Sequence, residues 1–366
     1  LPIVPYGIIG HNRNLAWGMT IFPFDNMDYV KLESLGDPKS YLYDKDTLDY
    51  DFVAHEIKVK GNQTEKLIIQ SSKLGPVIND LEPIIDSLYQ SDIALNWSIY
   101  HLEQTAVQAM YQMNQAQNIK EFRAALPLID IVGLNVMYAD IEDNIAWWAC
   151  GKIPMRDSLG LSFMFLNSIE EQDAYESFHS FDENPSLVNP RQGFIATANN
   201  NPILSGSHFV SGNYLPSDRI HRINQALNDK NDWDLEACKA LQLDHQSTVK
   251  RDLAHLISSL FIDLPKKGLY LKAAEVLSTW DGNYNLDAIA PTIFEKMYFH
   301  VGQLTLADEL GPQMIKRFIK TYLIKKTLPV IIENENSIWW QNKDAKELNN
   351  RDQILTLAFM ITVDEL

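Results

Sequence analysis

Hydrophobic and polar residues alternate along much of the first part of the chain with the period of two that is typical of β-strands. Residues 52–60 alternate in this way, Gly61-Asn62 is a turn signal, and residues 66–71 follow as a partner, so the sequence predicts a β-hairpin. Apolar stretches predict further strands at residues 3–9, 15–24, 131–141, 144–153 and 193–197.

Apolar residues at helical spacing interrupt this region near residues 102–126, where a stripe of methionines indicates core packing. After about Pro216 the helical period dominates, and an apolar run covers residues 354–363. We therefore predict a mostly β region over residues 1–215, with a helical insert near 102–126, and a mostly helical region over residues 216–366. The predicted helices of that second region lie at 220–227, 247–261, 269–280, 289–310 and 313–332.

The composition is that of a globular protein and not of a nucleic-acid-binding one. The 366 residues are 46% hydrophobic, which is enough to bury a sizeable core. The formal net charge is −17 and the isoelectric point is about 4.9. Such a surface repels phosphate backbones and anionic lipid, so we expect no nucleic-acid partner and no docking on anionic lipid. No stretch approaches the uninterrupted apolar length of a membrane helix, so we expect no membrane insertion.

Several common site motifs are missing from the sequence. Cys150 and Cys238 do not form a Cys-x-x-Cys pair, which excludes a zinc ribbon; two buried thiols are favoured over a disulfide, but the sequence leaves both open. There is no Gly-x-Ser-x-Gly, His-Glu-x-x-His or phosphate-binding glycine loop. An α/β-hydrolase, a zinc protease and a P-loop enzyme are therefore disfavoured.

Collinear blocks of sequence carry a family resemblance. Residues 10–20 read Gly-His-Asn-Arg-Asn-Leu-Ala-Trp-Gly-Met-Thr, residues 135–140 read Asn-Val-Met-Tyr-Ala-Asp, and residues 189–202 read Asn-Pro-Arg-Gln-Gly-Phe-Ile-Ala-Thr-Ala-Asn-Asn-Asn-Pro. Together with shorter blocks, they resemble in order the signatures of the penicillin acylase family. This family also contains acyl-homoserine-lactone acylases, and its members are N-terminal-nucleophile hydrolases that cut themselves into a small and a large subunit.

The resemblance implies an α+β fold and an amide hydrolase. We expect an incomplete four-layer α/β/β/α N-terminal-nucleophile architecture with a helical second half. The expected reaction is hydrolysis of a linear amide, penicillin-type or acyl-homoserine-lactone-type, through an acyl-enzyme. The nucleophile of the family is the first residue of the large subunit. Because the chain begins at Leu1 without Met, we expect an internal piece of that subunit, inactive alone, with the nucleophile upstream.

The resemblance also assigns catalytic residues. The backbone N–H of Ile21 and the side-chain amide of Asn199 match the donors that bind the oxyanion formed during amide hydrolysis. Arg219 falls at the position of an active-site arginine expected to orient the Asn amide or the surroundings of the nucleophile. The competing interpretations are a polar turn for Asn199 and a surface ion pair for Arg219.

Two further sets of residues follow from the resemblance. Ile8, Ile9, Trp97 and Leu134 fall at positions that line the acyl pocket, although plain core packing explains them equally well. Asp25, the carbonyl of Met27 and Asp28 resemble a calcium loop, since they offer hard oxygen ligands at close spacing. Phe163 and His208 depart from the family at other ligand positions, and a solvated acidic turn is the alternative. We thus expect one structural calcium ion and no organic cofactor.

Expected partners are a small-molecule acyl-amide substrate, the small subunit and the remaining parts of the large subunit. The family resemblance alone predicts a periplasmic or secreted location. The alternative from another functional class is a non-catalytic pseudoenzyme, or a calcium-stabilised binding protein of the same fold.

Overall fold

A computed structural model of the chain describes residues 5–33, 36–81, 91–156, 164–168, 175, 177–202, 210–265, 268–343 and 349–366. The chain forms two compact units, Leu1–Tyr214 and Leu215–Leu366. All described strands lie in the first unit. They are β1 (Gly10–His11), β2 (Leu15–Ile21), β3 (Met27–Leu32), β4 (Ser40–Tyr43), β5 (Asp46–Asp49), β6 (Asp51–Ile57), β7 (Glu65–Ser72), β8 (Gly75–Pro76), β9 (Asp92–Trp97), β10 (Leu134–Asp140), β11 (Ile145–Cys150), β12 (Leu166–Asn167) and β13 (Ser186–Val188).

A five-stranded antiparallel sheet with the order β1-β2-β10-β11-β13 forms the centre of the first unit. One face carries Trp17 and Tyr138 and packs against the helices α1 (Ala106–Gln115) and α2 (Ile119–Ala125). The Phe122 ring of α2 lies 5.0 Å from the ring of Tyr138, centroid to centroid. The predicted helical insert therefore covers one face of the sheet and buries its apolar stripe.

The opposite face of the sheet buries a second cluster, which includes Phe22, Phe24, Trp147 and Tyr214. Smaller sheets accompany it, with the orders β12-β3-β9, β4-β5 and β6-β7-β8. Trp17 of β2 belongs to the first cluster, and Phe22, which directly follows β2, belongs to the second. The two side chains lie on opposite faces because successive side chains of a strand alternate between faces.

The predicted strand pair at 131–141 and 144–153 is the hairpin of β10 and β11, and this prediction is confirmed. Its turn is closed by Asp140, whose Oδ1 accepts hydrogen bonds from the backbone N–H of Glu142 and Asn144, both at 3.0 Å. Burial raises the pKa of Asp140, but hydrogen bonds from Tyr138 and Asn144 outweigh it and lower the pKa below its usual range. The carboxylate form that closes the turn is therefore favoured.

The predicted hairpin at 52–60 and 66–71 is present as β6 and β7, but it differs from the prediction in two respects. The connection spans residues 58–64, so Gly61-Asn62 lies inside a longer loop and is not a two-residue turn. Every residue of β6 is exposed, on both faces of the strand. Alternation thus identified the strands without identifying a buried side.

The second unit has an apolar core that includes Leu277, Phe294, Met297, Leu355 and Phe359. The described α-helices of this unit are α3 (Asp218–Asn228), α4 (Leu235–Gln242), α5 (Thr248–Ser259), α6 (Leu269–Ser278), α7 (Ala290–Phe318), α8 (Leu323–Glu333) and α9 (Arg351–Glu365). Helices α5 to α9 each contribute buried residues to the core. The predicted helices at 220–227, 247–261 and 269–280 correspond to α3, α5 and α6. Helix α4 was not predicted.

Helix α7 is interrupted where the sequence predicted a boundary. Gly311 adopts φ 71° and ψ 167°, a backbone region that favours glycine, and Pro312 follows it. The helical run continues past this kink to Phe318, and α8 begins at Leu323. The prediction of one helix over 313–332 was therefore wrong, since two helices share that stretch.

Two predicted strands are not strands in the described residues. Residues 193–197 lie in an irregular segment, and so do residues 5–9; residues 1–4 lie outside the described residues. Pro5 lacks a backbone N–H and Gly7 is intrinsically flexible, so apolar composition alone does not secure a strand there.

Both cysteines are free thiols, which settles the open question of a disulfide. Cys150 is buried on β11 and Cys238 is exposed on α4. The expectation of two buried thiols is correct for Cys150 and wrong for Cys238, because α4 has no fully buried residue.

Candidate functional site

Ile21 is the last residue of β2, and the strand register determines where its backbone points. Ile21 lies opposite Leu134 of β10, and the backbone N–H of the next residue, Phe22, donates to the carbonyl of Gly133 at 2.9 Å. In an antiparallel pair the hydrogen-bonding direction alternates from residue to residue. The N–H of Ile21 therefore points away from β10, toward the outer edge of β2.

Asn199 lies at that same edge. Its side-chain Nδ2 donates to the carbonyl oxygen of Ile21 at 2.7 Å, across 178 residues of sequence. Asn199 has φ 58°, in the left-handed region that Asn tolerates better than most residues. The structure thus brings together the two residues that the sequence analysis assigned to the oxyanion site.

The segment that carries Asn199 is fixed against β2 by side-chain contacts. The hydroxyl oxygens of Thr20 and Thr197 lie 2.8 Å apart. One residue beyond Asn199, the Asn200 Oδ1 accepts the backbone N–H of Ala198 at 3.0 Å and closes the turn. The irregular segment at 193–200 is therefore positioned by specific hydrogen bonds, although it is not a strand.

Asn135 is a site residue for which the sequence analysis proposed no role. It is only 2% exposed. Its Nδ2 donates to the Ile21 carbonyl at 2.9 Å and lies 3.2 Å from the Thr20 hydroxyl, while its Oδ1 accepts the indole N–H of Trp147 at 3.0 Å. An asparagine inside the apolar strand Leu134–Asp140 was the available signal, because a buried amide requires partners.

Backbone N–H and side-chain amide groups that meet at one strand edge can stabilise a developing negative charge on oxygen. An amide nitrogen carries two hydrogens, and donation to the Ile21 carbonyl uses one of those of Asn199. The arrangement is preorganised, because the amides of Asn135 and Asn199 both bond the same carbonyl.

The four predicted pocket residues do not all share one environment. Leu134 packs against the cluster that contains Trp17, and the carbonyl of Ile8 accepts the Trp17 indole N–H at 3.1 Å. Ile9 follows, 65% exposed. Trp97 lies on β9 in a different sheet, opposite Met27. Leu134 thus borders the helix-covered face of the central sheet, and the pocket role of all four residues stays a prediction.

Arg219 is the second residue of α3 and belongs to the second unit. The predicted catalytic pair of Ile21 and Asn199 belongs to the first. The role of Arg219 beside Asn199 therefore stays a prediction.

The predicted calcium ligands Asp25 and Asp28 face an arginine. Arg156 Nη1 and Nη2 donate to the two carboxylate oxygens of Asp28, each at 3.1 Å, and Nη2 lies 3.3 Å from Oδ2 of Asp25. Met27, the third predicted ligand, is the first residue of β3. A dication at this point would lie against the guanidinium, so this arrangement does not fit a calcium ion.

Other potential metal ligands do not gather in the described part of the chain, where no three His, Cys, Asp or Glu side chains form a group that could hold a metal ion. Phe163 and His208, where the sequence departs from the family pattern, lie outside the described residues.

The whole sequence matches a known family. A family model described as penicillin amidase covers residues 1–366. The chain belongs to the penicillin amidase family. The family resemblance stated from the sequence is confirmed.

Relatives in this family carry the names of two kinds of acylase. The acyl-homoserine lactone acylase QuiP of Pseudomonas aeruginosa is 21% identical over 386 residues, an alignment that covers 99% of this chain and 45% of that protein. Penicillin G acylase of Escherichia coli is 24% identical over 286 residues, covering 75% of this chain and 32% of that protein. The chain spans less than half the length of these relatives.

A solved structure shows the same fold. Thermostable penicillin G acylase from Alcaligenes faecalis, in an orthorhombic form, matches with a TM-score of 0.76 and 18% identity, covering 98% of this chain and 68% of that one. The predicted α+β class is confirmed, and the fold is that of the N-terminal-nucleophile hydrolases.

Among the described helices, none is both long and apolar enough to cross a bilayer.

Proposed function

We propose that the protein to which this chain contributes hydrolyses the linear amide bond of an N-acyl amine through an acyl-enzyme. The observation that carries the proposal is the 2.7 Å hydrogen bond between Asn199 and Ile21. It joins two residues that family motifs assigned independently to the oxyanion site. It supports the proposal because the Asn199 amide then lies beside the residue whose N–H is the second proposed donor.

In this mechanism the nucleophile attacks the amide carbonyl, and negative charge develops on the carbonyl oxygen. The backbone N–H of Ile21 and the side-chain amide of Asn199 donate to that oxygen. The amine then leaves with the proton taken from the nucleophile, and water hydrolyses the acyl-enzyme to release the carboxylic acid and restore the nucleophile. Fixed donors in a desolvated site contribute strongly, since losing one of them costs about 3 kcal/mol of transition-state stabilisation.

The nucleophile itself is proposed to come from outside the 366 residues. The family places it at the first residue of the large subunit, where its own α-amino group, with a pKa of about 8, accepts the hydroxyl proton. Support for this view is that the chain spans only 45% of an acylase relative. The small subunit and the rest of the large subunit would then complete the pocket, in a periplasmic or secreted enzyme.

The substrate is proposed to carry an apolar acyl group. Leu134 lies opposite Ile21 on the neighbouring strand and packs against the Trp17 cluster, so it offers apolar surface beside a proposed donor. Ile8, Ile9 and Trp97 are proposed to line the same pocket on the family resemblance alone. The names of the relatives supply two test substrates, an acyl-homoserine lactone and a phenylacetyl amide of the penicillin G type.

The test uses the full-length protein and both substrates, with release of the carboxylic acid measured by chromatography. We expect Asn199→Ala to lower kcat by about 10²- to 10³-fold. Gln192→Ala is the matched control, because this exposed amide in the same segment only bonds the carbonyl of Phe194, and its kcat should stay unchanged.

Two results would contradict the proposal. A loss of less than tenfold in Asn199→Ala would remove Asn199 from the oxyanion site. A wild-type protein that releases neither acid would favour the pseudoenzyme interpretation.

A further inference from the structure

Arg156 forms the centre of a buried charge cluster just beyond the end of β2. Its side chain is 10% exposed, and those of Asp25 and Asp28 are 15% and 2% exposed. Both terminal nitrogens of Arg156 bond Asp28 in the parallel, two-pronged geometry that guanidinium and carboxylate groups favour. Asp25 lies 3.3 Å from one of the same nitrogens.

A tyrosine encloses the guanidinium from another side. The Tyr175 hydroxyl lies 3.3 Å from Nη2 of Arg156, and the guanidinium carbon lies 5.6 Å from the centre of the Tyr175 ring. Tyr175 is itself buried. The arginine is therefore held by hydrogen bonds and by an aromatic face, a set of contacts that lysine cannot reproduce.

Two buried carboxylates require a nearby cation, since an unpaired buried charge is strongly unfavourable. In this chain a side chain of the protein itself, the guanidinium of Arg156, supplies that cation. A divalent ion bound to the same carboxylates would have to displace the guanidinium or approach it closely, and like charges in a poorly solvated site repel each other strongly.

The cluster also secures the backbone that follows Ile21. The N–H of Asp25 donates to the carbonyl of Ser211 at 2.8 Å, and the N–H of Asn213 donates to the carbonyl of Pro23 at 2.8 Å. Asp28 is the second residue of β3. The ion pairs thus connect the segment after β2 to the segment that carries Arg156.

We propose that the guanidinium of Arg156 is the internal cation of the Asp25–Asp28 turn, and that this protein holds the turn without a calcium ion. The family resemblance at these residues is to a calcium loop, and the described geometry departs from it at this point. The inference concerns metal dependence and stability, so it stands or falls separately from the proposed amide hydrolysis.

The first test measures the metal. Full-length protein purified without chelator is analysed for calcium by mass spectrometry of the elements, and its melting temperature is recorded with EGTA and with millimolar calcium chloride. We expect far less than one calcium per protein and a difference in melting temperature below about 1 °C, because a ligand that does not bind the native state does not stabilise it. One tightly bound calcium per protein, or a clear loss of stability in EGTA, would overturn the proposal.

The second test removes the cation. Arg156→Gln leaves Asp25 and Asp28 buried without it, and we expect the melting temperature in EGTA to fall by roughly 5–15 °C. Arg123→Gln is the control, since Arg123 forms an exposed pair with Asp182 and its loss should leave the melting temperature nearly unchanged. An Arg156→Gln protein as stable as the control refutes the role of Arg156. If the variant does not fold in EGTA, that loss agrees with the proposal, and the calcium content of the wild type still decides it.

Discussion

The carbonyl oxygen of Ile21 accepts two side-chain amides, from Asn135 at 2.9 Å and from Asn199 at 2.7 Å. Asn135 comes from the neighbouring strand and also binds the Trp147 indole, so it is fixed on both sides. Asn199 comes from an irregular segment and donates to the same carbonyl. The Asn135 amide therefore helps to position the end of β2, to which the Asn199 amide bonds.

We expect Asn135→Leu to lower the free energy of unfolding by about 1–3 kcal/mol, because the buried Trp147 N–H loses its acceptor. Urea denaturation of the full-length variant measures this, with Gln192→Ala as a control whose amide contact is exposed. If both variants unfold at the wild-type urea concentration, the Asn135 network contributes nothing measurable to stability.

The sequence predicted the roles of individual residues where a family motif marks them, and it missed the roles of residues that only tertiary contacts define. Ile21 directly follows one recognisable block and Asn199 belongs to another, so both were assigned without coordinates. Arg156 lies 128 residues from Asp28 and follows no motif or period. Its partners depend on how distant segments meet, and local sequence does not encode that.

Secondary-structure elements in the second unit are linked by a charged contact between Arg222 of α3 and Asp244, which lies just after α4. Nε of Arg222 bonds both carboxylate oxygens, at 3.1 and 3.0 Å, and Nη2 lies 2.6 Å from Oδ2. The hydrogen bonds from Arg222 lower the pKa of Asp244 below its usual range, although partial burial opposes this. Both side chains are less than one quarter exposed.

A depressed carboxyl pKa in the folded state contributes stability above the unfolded pKa of about 4, and that contribution is lost as the pH falls through the folded pKa. We therefore expect Asp244→Asn to reduce stability by about 1–2 kcal/mol at pH 7 and to lose less of its stability than the wild type between about pH 4 and pH 2. Thermal denaturation across this pH range tests the prediction. Asp182→Asn, which breaks an exposed pair, is the control. Parallel stability curves for wild type and Asp244→Asn would show that the contact has no pH-linked role.

The periodic signal did not find every element of the structure. Helices α5 and α6 bury an apolar stripe and were found from its period. Helix α4 is only eight residues long and has no fully buried residue, and it was not predicted. The segment at 193–197 shows the opposite error, since its Ile195 packs against the cluster of Phe22 and Trp147 although the segment does not pair as a strand.

For the whole molecule, the balance of 31 basic and 48 acidic residues gives a net charge of −17 at neutral pH. Mutual repulsion keeps such chains apart in solution, and this protection disappears when the net charge approaches zero. We expect the solubility of the purified chain to reach a minimum near pH 4.9, its calculated isoelectric point. Turbidity across pH 4–8 at low and moderate salt checks this, and a minimum near neutral pH would contradict it.

The family, the fold class and the change from strands to helices were predictable from the sequence, because they depend on many residues at once. The match to residues 1–366 and the likeness to a solved penicillin G acylase rest on the same distributed signal. The charge pairing at Asp25 and Asp28 depends on one arginine, so a motif for the loop alone predicted calcium where the structure has a guanidinium.

The two thiols differ in how accessible they are to thiol reagents. Cys238 on α4 is open to a maleimide reagent in the native protein, so a single dye marks the second unit without mutagenesis. Cys150 lies fully buried in β11, and burial raises the pKa of its thiol, which suppresses the reactive thiolate. Modification of Cys150 therefore requires the first unit to open, and its rate reports how often the sheet that carries Ile21 comes apart.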